Sequence, residues 1–329
     1  MSQGVDITII IPFLNEEENI PYLAAEINSF VERNRHLNVE LILVNDGSTD
    51  RSMVMITTTR FPDRTKVISF SKNFGSHAAL RAGMLHASGQ YIGFLYADLQ
   101  DPIDNLVLMY NEAILGKDIV WGIRKGVEGG WFEKGFSKLY ARLMKRFVNP
   151  QFPEKGFDIV MLSQKVAQQL NKNIESHSSI FLQLLNLGFS QGEIHYEKKK
   201  RTAGKSKWTL SKKVKLVIDS FIAFSYAPIR FVTYTGILFF VIGIAWTVYI
   251  TTRKIIYNDL ASGWPMLTSI LFLGFGLTNI SLGIIAEYLW RTLDASRHRP
   301  VFVIDEIVEV RSGEVRRREE KNEEIIFKK

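Results

Sequence analysis

The chain has 329 residues, of which 46% are hydrophobic and 23% are charged, so it is long enough for one large domain or two ordinary ones. It contains no cysteine, which excludes disulfides, thiol nucleophiles and cysteine-ligated metal centres, and any metal must therefore be held by oxygen or imidazole ligands. The 41 Lys and Arg residues outnumber the 34 Asp and Glu residues, and this excess is concentrated in one segment instead of being spread evenly.

Short apolar, β-branched runs alternate with stretches of helical length over residues 5–122. The runs are Ile7–Ile11, Val39–Val44, Lys66–Phe70, Tyr91–Leu95 and Asp118–Trp121. This alternation predicts βαβ units and an α/β domain with a mostly parallel sheet covered by helices on both faces. In such sheets ligands bind beyond the carboxyl ends of the strands, so the residues that follow each run are the candidate site.

Polar turns follow the first two predicted strands. Pro12–Glu16 comes after the first strand and Asn45–Asp50 after the second. Gly47 permits a tight turn, and Asp46 is expected to face whatever binds there. Taken alone, the second turn is equally typical of an ordinary connection between a strand and a helix.

A possible metal site follows the fourth predicted strand. Asp98 and Gln100 offer a carboxylate and an amide oxygen two residues apart, on the same side of the chain. Mg²⁺ and Mn²⁺ prefer oxygen ligands and complete their coordination with phosphates and water. The segment therefore predicts a site for a metal-bound diphosphate. The alternative is that Asp98 caps a helix that begins at Asp101 and Pro102.

Two apolar stretches without a charged residue lie in the C-terminal half, over residues 231–252 and 264–286. Each is long enough, at about 1.5 Å per residue, to cross a hydrocarbon core of about 30 Å. We expect a two-helix transmembrane hairpin over residues 229–291. Because residues 1–6 lack a signal-peptide pattern and the basic excess precedes the hairpin, we expect a multi-pass protein of the inner (plasma) membrane, with its N-terminal domain and C-terminal tail in the cytoplasm.

A basic segment precedes the hairpin. Its nine basic residues, with no acidic residue among them, are Lys198, Lys199, Lys200, Arg201, Lys205, Lys207, Lys212, Lys213 and Lys215. Residues 209–228 contain apolar positions typical of an amphipathic helix at a membrane interface. The basic segment could set the membrane topology alone, or it could hold a lipid phosphate.

The C-terminal tail, residues 292–329, contains a segment with the composition of a strand. Val301–Val310 has no obvious partner in the chain, which suggests pairing with a second copy and hence a homo-oligomer. Residues 311–329 mix both charges densely and are expected to be frayed or helical. The predicted domains are thus residues 1–208, 209–228, 229–291 and 292–329.

The ordered set of motifs resembles glycosyltransferase family 2, in its branch that uses polyprenyl phosphates, which includes bacterial undecaprenyl-phosphate glucosyltransferases and dolichol-phosphate mannose synthases. The resemblance extends from Ile7 to about Arg291. The matching segments are Pro12–Glu16, Asn45–Asp50, Asn73–Gly75 with Ala82–Gly83, Ala97–Pro102, Gly156–Asp158 and Arg201–Lys207. The resemblance implies the GT-A fold, a Rossmann-like α/β catalytic domain.

The resemblance also implies roles for individual residues. It implies a nucleotide-sugar site formed by Pro12, Asn15, Glu16 and Asp46, a metal site for Mg²⁺ or Mn²⁺ formed by Asp98 and Gln100, and an acceptor-phosphate site formed by Arg201, Lys205 and Ser206. Two further candidates are less specific. Arg124 could close over a diphosphate or could be an ordinary solvated arginine. Asp158 could orient a sugar hydroxyl or support the attack, or could be a buried structural carboxylate.

The implied reaction is the inverting, metal-dependent transfer of a hexose, with glucose expected, from a UDP-sugar to undecaprenyl phosphate. The acceptor phosphate is already anionic at neutral pH, so it needs no strong general base. The expected partners are the UDP-sugar donor, the polyprenyl phosphate, the lipid bilayer and a second copy of the chain, with no nucleic acid.

One position departs from the family pattern, because Tyr96 occupies a place where the family usually has an aspartate. A phenol is a poor ligand for magnesium at neutral pH, since its pKa is about 10. The alternative function is therefore a catalytically impaired membrane scaffold or lipid-phosphate binder. A processive polysaccharide synthase is less favoured, because two spans are few and the chain lacks a Gln-x-x-Arg-Trp motif.

Overall fold

A computed structural model describes residues 4–126, 141–146, 149–150, 152, 157–172, 179–199, 264–296, 300–311 and 314–318, with isolated positions at 135, 234, 252 and 256. The chain divides into two compact units. One consists of Met1–Leu216 together with Pro300–Lys329, and the other consists of Val217–Arg299.

The first unit contains nine described strands and six described helices. The strands are β1 (Ile7–Phe13), β2 (Val39–Asn45), β3 (Thr65–Phe70), β4 (Tyr91–Phe94), β5 (Ile119–Arg124), β6 (Phe157–Ser163), β7 (Gln191–Tyr196), β8 (Ile304–Arg311) and β9 (Glu314–Arg318). The helices are α1 (Ile20–Arg33), α2 (Ser52–Thr58), α3 (Ser76–His86), α4 (Asn105–Ile114), α5 (Gln164–Lys172) and α6 (Ile180–Asn186).

The strands form one sheet in the order β7-β5-β6-β4-β1-β2-β3-β8-β9. Strand β1 is parallel to β2 and β4, β2 is parallel to β3, and β5 is parallel to β7. Antiparallel pairs join β4 to β6, β5 to β6, β3 to β8 and β8 to β9. Among the described strands only β6 and β8 therefore run against the others. The predicted α/β domain with a mostly parallel sheet is confirmed.

The order of the strands creates a switch point between β1 and β4. From β1 the chain passes through α1 to β2 on one side, whereas from β4 it passes through α4 to β5, which lies on the other side. Every residue of β1 and β2 is buried, as expected for strands that are covered on both faces. Ligands bind at such a switch point, beyond the carboxyl ends of the strands.

The predicted lack of a partner for Val301–Val310 within its own chain is wrong. Strand β8 pairs antiparallel with β3 of the same chain, where Ile307 and Val308 are buried, and Phe302 stacks on Phe70 with ring centroids 5.1 Å apart. The edge of β3 offers unpaired backbone groups, and β8 satisfies them while it buries its own apolar side chains. This segment therefore gives no support to a homo-oligomer.

The residues after β8 also differ from the expectation. Residues 314–318 form β9, which pairs antiparallel with β8, instead of being frayed or helical. Residues 304–311 and 314–318 of the predicted tail therefore belong to the sheet of the first unit.

The second unit is described mainly through α7 (Trp264–Ser296), a helix of 33 residues. It includes the second predicted span, residues 264–286. The first predicted span and the predicted interfacial helix lie outside the described residues, apart from isolated positions. Within the described part of the chain, no helix combines the length and the apolar character that a membrane crossing requires.

Candidate active site

The turns that follow β1 and β2 are bonded to each other. The side-chain oxygen of Asn15 accepts a hydrogen bond from the backbone N–H of Thr49 at 2.8 Å, and the N–H of Asn15 donates to Ser48 Oγ at 3.0 Å. The N–H of Glu16 donates to Ser52 Oγ at 2.9 Å. Asn15 has a φ of 52°, in the left-handed region that asparagine tolerates better than most residues. These hydrogen bonds hold Asn15 and Glu16 at the edge of the sheet formed by the carboxyl ends of β1 and β2, where the sequence predicts the site.

Pro12 and Glu16 contribute to this edge in different ways. Pro12 is buried inside β1, in register with Val44, so it shapes the end of the strand. Glu16 is half-buried, and its Oε2 accepts a hydrogen bond from Asn19 Nδ2 at 2.7 Å. Of the residues expected at the nucleoside, Asn15 is the most exposed.

The carboxylate of Asp46, which was expected to face a ligand, lies in the interior and accepts backbone hydrogen bonds. Its Oδ1 accepts from the N–H of Phe74 at 2.7 Å, and both of its oxygens are 3.0 Å from the nitrogen of Gly75. Burial raises the pKa of Asp46, and the two amide bonds offset only part of that effect. Asp46 therefore fixes the turn before α3 in place beside the end of β2.

The predicted metal residues follow β4 in a tight turn. Asp98 and Gln100 are both half-buried, and the N–H of Gln100 donates to Asp98 Oδ1 at 3.3 Å. Leu99 between them has a φ of 56°, which reverses the chain. In the described part of the chain no group of three or more His, Asp or Glu side chains could hold a metal. The two oxygen donors fit a cation that takes its remaining ligands from a diphosphate and water.

The side chain of Tyr96 is half-buried and lines a pocket between the turn and α1. The pocket has a volume of about 330 Å³, open solvent included, and its apolar wall includes Leu23, Ile27 and Leu99. At position 96, where the family usually has an aspartate, this chain therefore has an aromatic ring whose surface is largely apolar.

The turn from Tyr96 to Asp101 contains the predicted metal residues and is called the metal turn below. A buried contact that the sequence does not predict lies at its last residue, Asp101. Asp101 accepts a hydrogen bond from the hydroxyl of Tyr196 at 2.6 Å, and Lys198 Nζ lies 3.8 Å from the same oxygen. The backbone N–H of Lys199 donates to the carbonyl of Gln100 at 2.8 Å. The sequence suggests a helix start at Asp101, but α4 begins at Asn105. No local signal could reveal Tyr196, which is 95 residues away in sequence.

The remaining candidates are only partly described. Arg124 is the last residue of β5, half-buried, and in register with Tyr196. The register between β5 and β6 shifts from the pair Gly122 and Ile159 to the pair Ile123 and Phe157, so a β-bulge leaves one extra residue on β6, at position 158. The side chain of Asp158 lies outside the described part of the structure, as do Arg201, Lys205 and Ser206.

His77 lies near the same edge, as the second residue of α3. Its ring packs edge-on against Phe181, with the centroids 5.7 Å apart. Burial and the positive charge of Arg81 lower the pKa of His77 from 6.5 to about 4, so the imidazole is neutral at pH 7. In the described structure its Nδ1 has no hydrogen-bond partner.

Comparison with known proteins identifies the family. Residues 8–171 match the family described as glycosyl transferase family 2. A protein of Bacillus subtilis (strain 168), described as uncharacterized glycosyltransferase YkcC, is 30% identical over 306 residues, which cover 92% of this chain and 94% of that protein. The chain belongs to glycosyltransferase family 2.

Further relatives of this glycosyltransferase include the bactoprenol glucosyl transferase of Shigella phage SfV. That protein is 30% identical over 303 residues, which cover 91% of this chain and 97% of the phage protein. The resemblance to the polyprenyl-phosphate branch is thereby confirmed. The structure of glucosyl-3-phosphoglycerate synthase from Mycobacterium tuberculosis, with Mn²⁺, UDP and glucosyl-3-phosphoglycerate, is 17% identical and covers 67% of this glycosyltransferase and 78% of that chain, with a TM-score of 0.47.

Proposed function

We propose that this glycosyltransferase transfers glucose from UDP-glucose to undecaprenyl phosphate at the cytoplasmic face of the membrane, with inversion at the anomeric carbon. The choice of acceptor is supported by the phage relative, whose name is bactoprenol glucosyl transferase and which matches over 97% of its length. The observation that carries the proposal is the contact between Lys199 and Gln100, 2.8 Å long. It joins the start of the basic segment to the turn that contains Asp98.

This contact matters because the two substrates must meet. A lipid phosphate needs cationic side chains near the membrane surface, and a nucleotide diphosphate needs a site at the switch point of the sheet. The basic segment, which starts at Lys198, supplies the cations, and its first residues lie against the turn that follows β4. Arg201, Lys205 and Ser206, a few residues further on, bind the acceptor phosphate in this proposal.

The donor is held by the ends of β1, β2 and β4. Asn15 and Glu16 contact the nucleoside, while Pro12 acts by shaping the end of β1 and Asp46 acts through the turn that it fixes. Asp98 and Gln100 would hold Mg²⁺ or Mn²⁺, and such an ion would supply positive charge next to the departing diphosphate.

The transfer is a single displacement. A phosphate oxygen of the acceptor forms a bond to the anomeric carbon, while the bond from that carbon to the UDP oxygen breaks and UDP leaves with the electron pair. The protein contributes by positioning the reactants and by electrostatic stabilisation. Arg124, at the end of β5, stabilises the diphosphate. Asp158, at the β-bulge, orients a sugar hydroxyl, since bulges commonly redirect a side chain next to an active site.

The proposal includes attachment to the membrane. Its support is the sequence, in which residues 231–252 and 264–286 contain no charged side chain. The acceptor is itself a membrane lipid, so an enzyme held at the bilayer meets it by diffusion in two dimensions.

A second candidate function follows from Tyr96. If the phenol prevents metal binding, the chain is a catalytically silent relative that binds lipid phosphate or acts as a scaffold. The half-buried Tyr96 favours this alternative, because Asp98 and Gln100 then offer the metal one carboxylate between them.

One assay tests both functions. The purified full chain is incubated with labelled UDP-glucose and undecaprenyl phosphate, with and without Mg²⁺ or Mn²⁺, and compared with Tyr96→Asp. Tyr22→Asp, which makes the same change at an exposed position of α1, is the matched control. Metal-dependent glycolipid from the unmodified chain supports the enzyme. Product from Tyr96→Asp alone supports the silent relative. Absence of product from both, with any UDP-hexose, overturns the transfer proposal.

A further inference from the structure

Three contacts join the metal turn to the start of the basic segment. Oδ1 of Asp101 accepts the hydroxyl hydrogen bond of Tyr196 at 2.6 Å, and Lys198 Nζ is 3.8 Å from that oxygen. The N–H of Lys199 bonds to the carbonyl of Gln100 at 2.8 Å. The turn from Tyr96 to Asp101 and the segment from Tyr196 to Lys199 therefore meet through both side chains and backbone.

The hydrogen bond between Asp101 and Tyr196 is the shorter of the two side-chain contacts. The side chain of Asp101 is 1% exposed, and Tyr196 is 4% exposed. A buried carboxylate is costly unless it is hydrogen-bonded, and a short bond from a hydroxyl to a carboxylate is among the stronger hydrogen bonds in proteins. Lys198 Nζ is 3.8 Å from Asp101 Oδ1, beyond hydrogen-bond distance, so this ion pair lacks the hydrogen bond that Tyr196 makes.

We propose that Asp101 is a positioning residue. Its hydrogen bond to Tyr196 holds the metal turn against residues 196–199, which lead into the basic segment. Through Tyr196, Asp101 holds the turn that contains Asp98 and Gln100 against Lys198 and Lys199, the first residues of the basic segment. The effect of Asp101 on catalysis rests on the proposed function. The attachment of the metal turn to residues 196–199, called the lock below, is a property of the fold alone.

The expected kinetic consequence is specific. Asp101 and Tyr196 contact each other instead of the substrates, so their loss loosens the relative placement of two sites that each remain present. Misplacement of one reactant relative to the other lowers kcat, whereas the binding of each substrate alone changes little. A residue that only stabilised the fold would lower the amount of active enzyme without a loss of kcat per folded molecule.

The lock itself is tested by hydrogen exchange on the full chain, without substrates. Tyr196→Phe removes the hydroxyl donor and keeps the ring. Tyr91→Phe is the matched control, because its hydroxyl bonds to the carbonyl of Ala113 at 3.3 Å, at the opposite end of the strands. We expect Tyr196→Phe to speed exchange in peptides that cover both 96–101 and 196–199, by about tenfold, and Tyr91→Phe to leave both unchanged.

The catalytic effect is tested in the transfer assay. We expect Tyr196→Phe and Asp101→Ala each to lower kcat by about tenfold, with the KM of each substrate within about threefold of the original value. Asp101→Asn keeps an oxygen that can accept from Tyr196, so it should retain most of kcat. The variant with both Tyr196→Phe and Asp101→Ala should be no slower than the slower single variant, whereas independent roles would multiply to about a hundredfold loss.

The outcomes separate this inference from the proposed function. Faster exchange confined to 196–199, or unchanged exchange in both peptides, overturns the lock whether or not the chain transfers glucose. If exchange rises in both peptides while kcat is unchanged, Asp101 is structural and the positioning role is overturned. If the unmodified chain transfers nothing, the proposed function fails, and parallel exchange in the two peptides still establishes the lock.

Discussion

Both carboxylate oxygens of Asp46 lie 3.0 Å from the backbone nitrogen of Gly75, which is 29 residues further along the chain. Gly75 has a φ of 96°, a backbone conformation that glycine adopts readily, and it immediately precedes α3, which begins at Ser76. The turn at the start of α3 is therefore held by a side chain from the end of β2. In the proposed enzyme this pair fixes one wall of the nucleotide site, although Asp46 itself is almost completely buried.

Replacement of Asp46 tests this role. In Asp46→Asn, an NH₂ group replaces one acceptor oxygen and meets backbone N–H donors instead of bonding to them. We expect a loss of about 1–3 kcal/mol in the free energy of unfolding, as for other buried donors left without an acceptor, and weaker binding of UDP. Urea denaturation and a UDP titration measure the two effects. Asp63→Asn makes the same change on an exposed loop, and an equal loss there would contradict the explanation.

Gly47→Ala tests the close approach between the turn after β2 and the turn before α3. Gly47 has a φ of 72°, and a Cβ there would lie 2.6 Å from the nitrogen of Asn73 and still closer to the carbonyl carbon of Lys72. The left-handed backbone alone costs an alanine about 1–2 kcal/mol. The collision with backbone atoms adds to this cost, so we expect a total of about 3 kcal/mol or more.

Gly116→Ala is the control for that experiment. Gly116 has a φ of 97°, and no atom of the described residues lies within 4 Å of the place that its methyl group would take, so this replacement isolates the backbone strain from the collision. Urea denaturation of both variants gives the comparison. If Gly47→Ala costs no more than Gly116→Ala, the contact between the two turns does not constrain position 47.

The lowered pKa of His77 predicts a pH dependence of stability. In the unfolded chain the imidazole takes up a proton near pH 6.5, whereas in the folded chain it resists protonation until about pH 4. The unfolded state therefore binds more protons between these values, and the stability that is fully present above pH 6.5 is lost progressively as the pH falls toward 4.

His77→Phe tests this by removing the titrating group while keeping an aromatic ring against Phe181. We expect its free energy of unfolding to fall less steeply than that of the unmodified chain between pH 6.5 and pH 4, as measured by urea denaturation at several pH values. His36→Phe, at an exposed position, is the control. Parallel pH profiles for His77→Phe and the unmodified chain would refute the assignment.

A second buried carboxylate lies at the opposite ends of the strands. Glu40 Oε2 accepts from Thr8 Oγ1 at 2.6 Å and from the N–H of Ser88 at 2.8 Å, and its Oε1 is 2.8 Å from Lys66 Nζ. Burial by itself raises the pKa of Glu40. The hydrogen bonds and the charge of Lys66 more than offset it, so the pKa lies below the ordinary value of 4.5.

Glu40→Gln should therefore separate stability from function. We expect a loss of about 2–4 kcal/mol in the free energy of unfolding, because Lys66 keeps its charge in a partly buried place without its partner. We expect unchanged affinity for UDP, because the proposed nucleotide site is at the opposite ends of the strands. The contribution of Glu40 is present above pH 4.5 and is lost as the pH falls through its lowered pKa. Glu32→Gln, on an exposed part of α1, is the control. A loss of UDP affinity in Glu40→Gln would contradict the separation of stability from function.

The central strands, and the edge of the sheet at which a site is expected, could be predicted from local sequence patterns. Continuous apolar runs are typical of strands that are buried on both faces, and each of the five predicted runs overlaps an observed strand, β1 to β5. Because the carboxyl ends of parallel strands share one edge, Asn15, Asp46 and Asp98 could be placed at that edge from their positions in the sequence. Strands β6 and β7 were not predicted, and β7 is short and largely polar, with only Ile194 and Tyr196 buried.

The contacts between segments that are far apart in the chain could not be predicted in this way. The pairing of β8 with β3, the bond between Tyr196 and Asp101, and the burial of Asp46 against the turn at Gly75 all join residues that are far apart in sequence. Local patterns report which face of a segment is apolar, but they do not report which other segment covers that face. A carboxylate at the end of a strand is therefore equally consistent with a ligand contact and with a backbone contact, and the folded chain assigns Asp46 and Asp101 to contacts within the protein.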